Sequence, residues 1–425
     1  MKVFKFGGAS INSIDRIKST SQIIKTQAGD KLLLVVSAMG KTTNALEKVA
    51  GSFFEGKKEE ALALFQQVKD QHRNTLKYLT VTRGLQGENQ LNDFNTEVEW
   101  LLHDKPVRQF DYYYDQVVCS GELMSTAILY HYLLELGVNI AWVDVRDIIK
   151  TDNNFRDAGV DWDFTGSMIK EKVLPLFEQY DVVLTQGFIG STFENESTTL
   201  GREGSDYTAA IFANLMNAES VTIWKDVESV MNADPRKFAD AVNIYSLSYA
   251  EVIEMAYYGA QVIHPKTIKP LQNKNIPLFV KNFLNPQLQG TSITHQLARQ
   301  LPTLIVVKEN QALMQFKSKD FSFVEDKPIE QLHKIFDTVK LKPNLSQNTA
   351  ISLLCSFDDR KEKIDQLAHL ASEFFDVELE RNLSLLTLRH YNTEIYQQLT
   401  KGKTVVLLQK TPETVQALMR ENTAV

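Results

Sequence analysis

The N-terminal segment restricts the fold of this chain most strongly, because it reads as strand, helix and strand in quick succession. Residues 2–6 read as a short strand that ends at a Gly-Gly turn, and isoleucines then recur at helical spacing over residues 11–28. Residues 31–37 form a continuous apolar run, which is typical of a strand buried on both faces of a parallel sheet. This order predicts a βαβ unit and therefore an α/β fold.

The same patterns continue along most of the chain. Helical composition and spacing predict helices over residues 45–79, 91–102, 119–136, 205–217 and 248–258. Short apolar runs predict strands over residues 138–143, 181–186, 220–224 and 277–281. Residues 191–205 are polar and read as a loop.

Composition changes near residue 290, because every glycine except Gly402 lies at or before that position. We therefore expect a first domain over residues 1–295 and a smaller α+β region over residues 296–425. Within that tail, the predicted strands are 304–308, 312–317, 350–356, 384–389 and 404–409, and the predicted helices are 361–374 and 411–420.

Length and charge exclude several classes of protein. A chain of 425 residues exceeds what one hydrophobic core usually serves, and a net charge of -7 argues against a nucleic-acid-binding protein. No run approaches the ~20 apolar residues of a membrane span, and the apolar N-terminus is shorter than a signal peptide. Cys119 and Cys355 are read as buried free thiols of a reducing compartment. The expectation is a cytoplasmic protein without nucleic-acid or membrane partners.

Two candidate site segments follow the first two predicted strands. Residues 5–10, KFGGAS, place a lysine at a strand end and two glycines where backbone N–H groups can approach a polyphosphate. Residues 37–43, SAMGKTT, place hydroxyl groups at the carboxyl end of the next strand, where ligands of open α/β sheets gather. Taken separately, an ordinary tight turn and a Ser/Thr helix cap explain these segments equally well.

Two further segments combine charge with turn residues. Residues 199–206, TLGREGSD, open a predicted helix; Arg202 could clamp a carboxylate there, and Asp206 could either cap the helix or orient a catalytic lysine. Lys225 closes a predicted strand and Arg236 follows an Asp-Pro pair, so both could bind nucleotide phosphates, although an ordinary turn also fits.

Taken together, these segments resemble the aspartate kinase branch of the amino-acid kinase family. The motifs KFGGAS, VVSAMGKTTN, TLGREGSDYTAA, WKDVESVMNADPR and GAQVIHPKTI stand in the order typical of that family. The resemblance implies an open, mostly parallel sheet between helices, followed by tandem ACT-like regulatory units. The implied activity is ATP-dependent phosphorylation of the side-chain carboxylate of L-aspartate to 4-phospho-L-aspartate. In that family this is the first step toward lysine, threonine and methionine.

The resemblance also implies a role for each matching position. Lys5 is expected to stabilise the transferred γ-phosphoryl group, with Asp206 holding that lysine in place. The implied substrate-binding residues are Ser37, Thr43, Glu122 and Arg202, where Glu122 pairs with the substrate ammonium and Arg202 with its α-carboxylate. The implied nucleotide-binding residues are Lys5, Gly7, Gly8, Ser10, Lys225, Asp226 and Arg236.

Two positions depart from much of the family. Lys225 stands where threonine is frequent, and Gln261 stands where a nucleotide-binding lysine is frequent. The pair resembles the plant-type branch, and our hypothesis is that Lys225 supplies the charge that Gln261 lacks. The sequence shows no metal-ligand spacing, so Mg²⁺ is expected to arrive with ATP.

The tail is expected to form a homodimer, and an amino-acid effector, lysine or threonine, is left open. The loop over residues 318–323, which corresponds to the effector loop of the family, has no glycine. Two rival functions also remain open: another carboxylate or carbamate kinase of the same fold, and a non-catalytic amino-acid sensor.

Overall fold

The structure is a computed structural model that describes residues 1–27, 29–260, 262–296, 300–319 and 326–422. Its contacts divide the chain into two units. The first comprises Met1–Val230, Asn243–Ile253 and Gln261–Ala298. The second comprises Met231–Val242, Glu254–Ala260 and Arg299–Val425.

The described part of the chain contains both helices and strands, and five helices follow one another over residues 42–135. The helices are α1 (Ile14–Thr26), α2 (Thr42–Phe54), α3 (Lys58–Leu79), α4 (Gly84–His103), α5 (Phe110–Val118), α6 (Ser120–Glu135), α7 (Trp162–Met168), α8 (Gly204–Met216), α9 (Tyr249–Tyr257), α10 (Pro265–Asn273), α11 (Asp326–Val339), α12 (Lys361–Ala371) and α13 (Thr393–Thr400). Short 3₁₀ or π turns cover Gly8–Ile11, Val145–Asp147, Ile169–Val173 and Leu174–Glu178.

The strands of the first three hundred residues are short. In chain order the strands are β1 (Lys2–Phe6), β2 (Leu32–Val36), β3 (Ile140–Val143), β4 (Val182–Gln186), β5 (Ile189–Ser191), β6 (Ser197–Thr199), β7 (Ser220–Lys225), β8 (Val230–Met231), β9 (Asn243–Ile244), β10 (Ser246–Ser248), β11 (Leu278–Asn282), β12 (Thr291–Thr294), β13 (Leu304–Ser318), β14 (Leu345–Asn348), β15 (Ser352–Asp358), β16 (Phe375–Arg389), β17 (Lys403–Lys410) and β18 (Thr414–Glu421).

The first unit is built on an eight-stranded sheet in the order β10-β12-β11-β7-β1-β2-β4-β3. Among the described residues, neighbouring strands of this sheet pair in parallel, except β11 with β12, which are antiparallel. All five residues of β2 are buried, as its continuous apolar sequence predicts. Helix α6 packs against β2, β3 and β4, and α8 packs against β1, β2 and β7. The α/β prediction, with a mostly parallel sheet flanked by helices, is confirmed.

Helix α6 is apolar on nearly every side, which is typical of a helix inside a core. The segment Phe110–Glu135 is long and apolar enough to be compared with a membrane span, yet 89% of its apolar window is buried inside the protein. Within it lie the buried carboxylates Asp115 and Glu122. A carboxylate buried in such a helix needs hydrogen-bond or charge partners to be stable.

The second unit contains a six-stranded sheet in the order β14-β15-β13-β16-β18-β17, and its strands pair antiparallel throughout the described residues. Helices α11 and α12 cover one core, which includes Phe316, Phe336 and Phe357. Helix α13 covers another, around Leu388 and Val415. The long strands β13 and β16 contribute to both cores. The unit is consistent with an ACT-like domain, and its description as a tandem pair stays a prediction.

One prediction about the tail is wrong, and another is confirmed as part of a longer strand. Residues 411–420 were expected to be a helix, but Thr414–Glu421 forms β18, paired with β16 and β17. Residues 304–308 and 312–317 were expected to be separate strands, but they form the single strand β13, with register irregularities between Lys308 and Leu313. The helix α11 was not predicted at all.

Candidate active site

A cavity of about 630 Å³ lies in the first unit, beyond the carboxyl ends of the neighbouring parallel strands β1, β2 and β7. Because those strands are parallel and in register, the loops that follow them meet at one edge of the sheet. The predicted residues that line the cavity are Lys5, Gly7, Gly8, Ser10, Ser37, Thr43, Glu122, Arg202, Asp206, Lys225 and Asp226. The structure thus brings together every predicted site residue except Arg236.

The Gly-Gly turn fits closely against the loop after β2. A Cβ added to Gly8 would lie 2.8 Å from the carbonyl oxygens of both Ala38 and Gly40. The backbone N–H of Gly40 also donates to the carbonyl of Gly8 at 3.1 Å. The 3₁₀ turn Gly8–Ile11 begins here without a side-chain cap, so its first N–H groups are available for an anion.

Lys5 and Asp206 form an ion pair at the centre of the cavity, with 2.6 Å between Nζ and Oδ1. Asp206 lies in the first turn of α8, whose N-cap position is Glu203, so Asp206 does not cap the helix. Burial alone would raise the pKa of Asp206, but the charges of Lys5 and Lys225 hold it below its usual value. Asp206 is therefore an ionised carboxylate that fixes the position of the Lys5 ammonium.

Glu122 is a buried carboxylate with one satisfied oxygen. Its Oε1 accepts a hydrogen bond from the backbone N–H of Ala38 at 3.1 Å. Its Oε2 is buried and has no hydrogen-bond partner within the described ranges. Burial raises the pKa of Glu122 to about 8, against the smaller opposing effects of that bond and of Lys5. Such an unsatisfied oxygen favours a ligand that brings a positive charge.

Hydroxyl groups line the wall beside Glu122. Ser37 Oγ donates to Ser205 Oγ at 2.9 Å, and the Ser37 carbonyl accepts from Ser125 Oγ at 2.7 Å. Thr43 lies in the first turn of α2, whose N-cap residue Lys41 makes no side-chain capping bond. The Ser/Thr cap interpretation of this segment is therefore wrong.

The loop that carries Arg202 has an unusual backbone. Gly201 and Glu203 both have positive φ, 78° and 55°, and Glu203 Oε2 accepts from the backbone N–H of His264 at 2.7 Å. Between these two fixed residues, the Arg202 side chain is exposed, and no partner for it is found among the described residues. An available guanidinium at a cavity wall can bind a carboxylate in bidentate geometry.

The predicted nucleotide cations divide between the two units. Lys225 Nζ donates to the carbonyl of Val262 at 2.7 Å, and Asp226 beside it is exposed. Arg236 belongs to the second unit, where its guanidinium is 81% exposed and pairs with Asp234. Gln261 lies outside the described residues, so the idea that Lys225 replaces its missing charge stays a hypothesis.

Several lining residues were not predicted: Tyr114, Arg156, Phe188, Thr199 and Ser205. Thr199 and Ser205 lie inside the quoted motif TLGREGSD, so the motif itself could have identified them. Arg156 lies in an irregular loop with no motif, and Phe188 was part of no predicted element. Phe188 has a φ of 73°, which is rare for a bulky residue and which no sequence pattern indicated.

The described residues contain no group of three or more His, Cys, Asp or Glu side chains that could hold a metal ion. Of the carboxylates on the cavity wall, Asp206 is already paired with Lys5. A divalent cation in this cavity would therefore take most of its ligands from a bound molecule.

Comparisons with known proteins identify the family of this chain. The model of the amino acid kinase family matches residues 1–282. Lysine-sensitive aspartokinase 3 of Escherichia coli is 32% identical over 317 residues, which cover 74% of this chain and 69% of that protein. The chain belongs to the aspartokinase branch of the amino acid kinase family.

Other aspartokinases match over different lengths. The chloroplastic aspartokinase 1 of Arabidopsis thaliana is 31% identical over 401 residues, covering 87% of this chain and 66% of that protein. A bifunctional aspartokinase/homoserine dehydrogenase of Zea mays is 34% identical over 303 residues, but the match spans only 32% of that longer protein.

The fold agrees with a solved aspartokinase. The structure of E. coli aspartokinase III in complex with aspartate and ADP superposes with a TM-score of 0.82 at 26% identity, covering 99% of this chain and 96% of that chain. The structure of the same enzyme with lysine and aspartate gives a TM-score of 0.80. The predicted family and fold class are therefore confirmed.

Proposed function

We propose that this protein is an aspartokinase that transfers the γ-phosphoryl group of MgATP to the side-chain carboxylate of L-aspartate. The product would be 4-phospho-L-aspartate, the first intermediate toward lysine, threonine and methionine. The observation that carries the proposal is the Lys5–Asp206 ion pair, at 2.6 Å, in a cavity that also contains the unsatisfied Glu122. The relatives named as aspartokinases, one of them solved with aspartate and ADP, support it.

Aspartate would bind at the end of the cavity that Glu122, Arg202, Ser37 and Thr43 line. The substrate ammonium would pair with the buried carboxylate of Glu122, and Arg202 would bind the α-carboxylate. These contacts leave the side-chain carboxylate directed toward Lys5. Holding both reactants in one cavity replaces a bimolecular encounter with an intramolecular one.

The nucleotide would bind at the other end, where Gly7, Gly8 and Ser10 form the turn that receives its phosphates, with Lys225 and Asp226 beside them. Arg236 stays a proposed nucleotide contact, which the resemblance to the family alone supports. Mg²⁺ would arrive with ATP, held mainly by the phosphates, and would neutralise part of their charge.

The reaction needs no general base, because a carboxylate is already ionised at neutral pH. The side-chain carboxylate of aspartate attacks the γ-phosphorus, the bond to the β-phosphate oxygen breaks, and ADP leaves. Lys5 stabilises the charge on the phosphoryl oxygens during this transfer, and Asp206 keeps its ammonium in place. Catalysis is then positioning and electrostatic stabilisation.

The second unit supports two further proposals. We propose that it forms a homodimer, to be checked as a mass of about twice 48.4 kDa by light scattering. We also propose that lysine or threonine regulates the enzyme; the name of the lysine-sensitive E. coli relative supports lysine. Residues 320–323 of the predicted effector loop lie outside the described residues.

A cytoplasmic location is proposed with the support of two buried free cysteines, Cys119 and Cys355.

One coupled assay tests the proposed activity and its proposed effector. ADP release should depend on L-aspartate, whereas glutamate, succinate and carbamate should give little or none. Lysine and threonine are then titrated against the aspartate rate, and inhibition by one of them would identify the effector. Equal turnover with another acceptor would assign a different kinase of the same fold. ATP binding without turnover on any acceptor would assign a non-catalytic sensor.

A further inference from the structure

A second buried carboxylate lies behind the cavity wall. Asp115 of α5 is fully buried and does not line the cavity. Its Oδ2 accepts from the backbone N–H of Arg156 at 3.0 Å and of Thr199 at 2.8 Å. Its Oδ1 accepts from Thr199 Oγ1 at 2.7 Å. Burial raises the pKa of Asp115 to about 6 in spite of these bonds, so the carboxylate is ionised at the pH of a usual kinase assay.

The donors to Asp115 belong to two different segments of the cavity wall. Arg156 lies in the loop over residues 152–159, and Thr199 ends β6, directly before the loop over residues 200–203 that carries Arg202. The loops are in direct contact, because Ala158 N–H donates to the Thr199 carbonyl at 3.0 Å. A Cβ added to Gly201 would also lie 2.5 Å from Asp157 Oδ1. Asp115 therefore joins the two loops from behind.

Arg156 is held in a conformation that needs such support. Its φ is 69°, in the left-handed region that non-glycine residues rarely adopt. Its guanidinium lies 4.3 Å from the centre of the Tyr114 ring and forms exposed ion pairs with Asp111 and Glu47 at 3.3 and 3.7 Å. Without the acceptor at Asp115, the part-buried N–H of Arg156 would lose its hydrogen-bond partner, and the loop would lose a contact that holds it.

We propose that Asp115 is a positioning residue for a dicarboxylate substrate: by joining the two loops, it sets Arg156 and Arg202 on one wall of the cavity. Arg156 is then a second substrate-side cation that determines specificity, beside Arg202. The inference rests on the proposed function, because it assigns Arg156 to the aspartate end of the cavity, beside Arg202. Asp115 itself touches neither substrate nor nucleotide.

The test compares Asp115→Ala with Asp115→Asn in the full-length protein. Alanine removes every acceptor, so the KM for aspartate should rise about tenfold or more, while kcat and the KM for ATP stay within about threefold. Asparagine should restore a KM near that of the wild type. Its amide oxygen can accept from both N–H groups, and its NH₂ can donate to the Thr199 hydroxyl. General damage to the fold would not separate the two KM values in this way.

Two control variants make the test specific. Asp111→Asn removes an exposed ion pair of Arg156 but leaves its backbone bond to Asp115, so the KM for aspartate should change less than about twofold. Arg156→Ala should reproduce the rise seen with Asp115→Ala. If Asp115→Ala does not fold, Thr199→Val and Thr199→Ser replace it. Valine removes the hydroxyl bond and should raise the KM for aspartate about threefold, whereas serine keeps that bond and should not.

The outcomes separate this inference from the proposed function. No turnover of aspartate by the wild type would overturn both. Turnover by the wild type, with a folded Asp115→Ala variant whose KM for aspartate is unchanged or rises equally with that for ATP, would overturn the positioning role alone. An unchanged KM in Arg156→Ala would remove Arg156 from substrate recognition.

Discussion

At the scale of single residues, the cavity contains ionisable groups that are shielded from water. Glu122 has one buried oxygen with no partner within the described part of the chain. A buried polar group without a partner costs about 1–3 kcal/mol. An ammonium ligand would pair with that oxygen and remove the cost. The relief of this cost would add to the binding free energy of an amino-acid substrate.

Glu122→Gln tests this directly. Glutamine can still accept from the Ala38 N–H but carries no charge for the ammonium, so the KM for aspartate should rise about tenfold to a hundredfold. Because burial raises the pKa of Glu122 to about 8, the empty site is mostly protonated at neutral pH. The KM of the wild type should therefore fall as pH rises from 6.5 toward 8.

Steady-state kinetics across this pH range check both parts of that prediction. The Glu122→Gln variant should show no such fall in the KM for aspartate. A glutamine variant with a wild-type KM and a wild-type pH dependence would contradict the assignment of Glu122 to the substrate ammonium.

Residue types and their order predicted the cavity well, but not every residue in it. Lys5 and Asp206 belong to separate motifs, and the resemblance to a known family connected them. Asp115 and Arg156 could not be found in this way, because their role depends on a bond between a helix and a distant loop. Nothing local to either residue indicates that bond.

At the scale of elements, the turn after β1 depends on the absence of a side chain. Gly8→Ala would push a Cβ against two backbone carbonyl oxygens at 2.8 Å, which cannot move as a flexible side chain can. We expect the KM for ATP to rise about tenfold or more, since the backbone that receives the phosphates must shift. The matched control is Gly51→Ala in α2, where a Cβ meets nothing within 4 Å. That variant should keep wild-type kinetics, and equal kinetics in both variants would contradict the account of the turn.

Helix α3 carries a histidine that should make the protein acid-sensitive. His72 is fully buried, and burial lowers its pKa to about 4, although its Nδ1 lies 2.7 Å from the Val68 carbonyl. The folded pKa is below the unfolded value of about 6.5. The neutral, buried His72 therefore contributes fully to the free energy of unfolding above pH 6.5, and this contribution is lost as pH falls toward 4. The loss in the free energy of unfolding should approach about 3 kcal/mol.

Urea unfolding of His72→Gln at several pH values measures that contribution. The variant should lose less stability than the wild type between pH 6.5 and 4.5. His103→Gln, at an exposed position at the end of α4, should behave as the wild type. Parallel stability curves for the wild type and His72→Gln would rule out His72 as the acid-sensitive group.

The elements themselves were predictable where pattern and environment agree. Strand β2 is buried along its whole length, as its continuous apolar run predicts. Strand β18 shows the opposite. Thr-Pro-Glu at residues 411–413, with Ala, Leu and Met at 417–419, is typical of a helix start. Yet Thr414–Glu421 forms β18, and six residues of this strand are buried between β16 and β17. Tertiary pairing overrode local propensity there.

At the scale of the whole molecule, the sheet order could not be read from the sequence. The first strand lies between β7 and β2, and that arrangement brings loops from residues 7 and 226 to one cavity. The parallel βαβ pattern predicted only that such loops would share an edge. Similarly, Met231–Val242 and Glu254–Ala260 group with the second unit, although no change in composition marks them. The boundary near residue 295 therefore stays a prediction.

The central claim is that Lys5, fixed by Asp206, drives phosphoryl transfer to a carboxylate. Its most direct measurement is hydroxylamine trapping of the acyl phosphate formed from aspartate and MgATP, with wild type and Lys5→Ala compared. The wild type should form aspartyl 4-hydroxamate in step with ADP, and folded Lys5→Ala should form it at least ~10²-fold more slowly. ADP release without hydroxamate, or a near-normal rate in Lys5→Ala, would contradict the account.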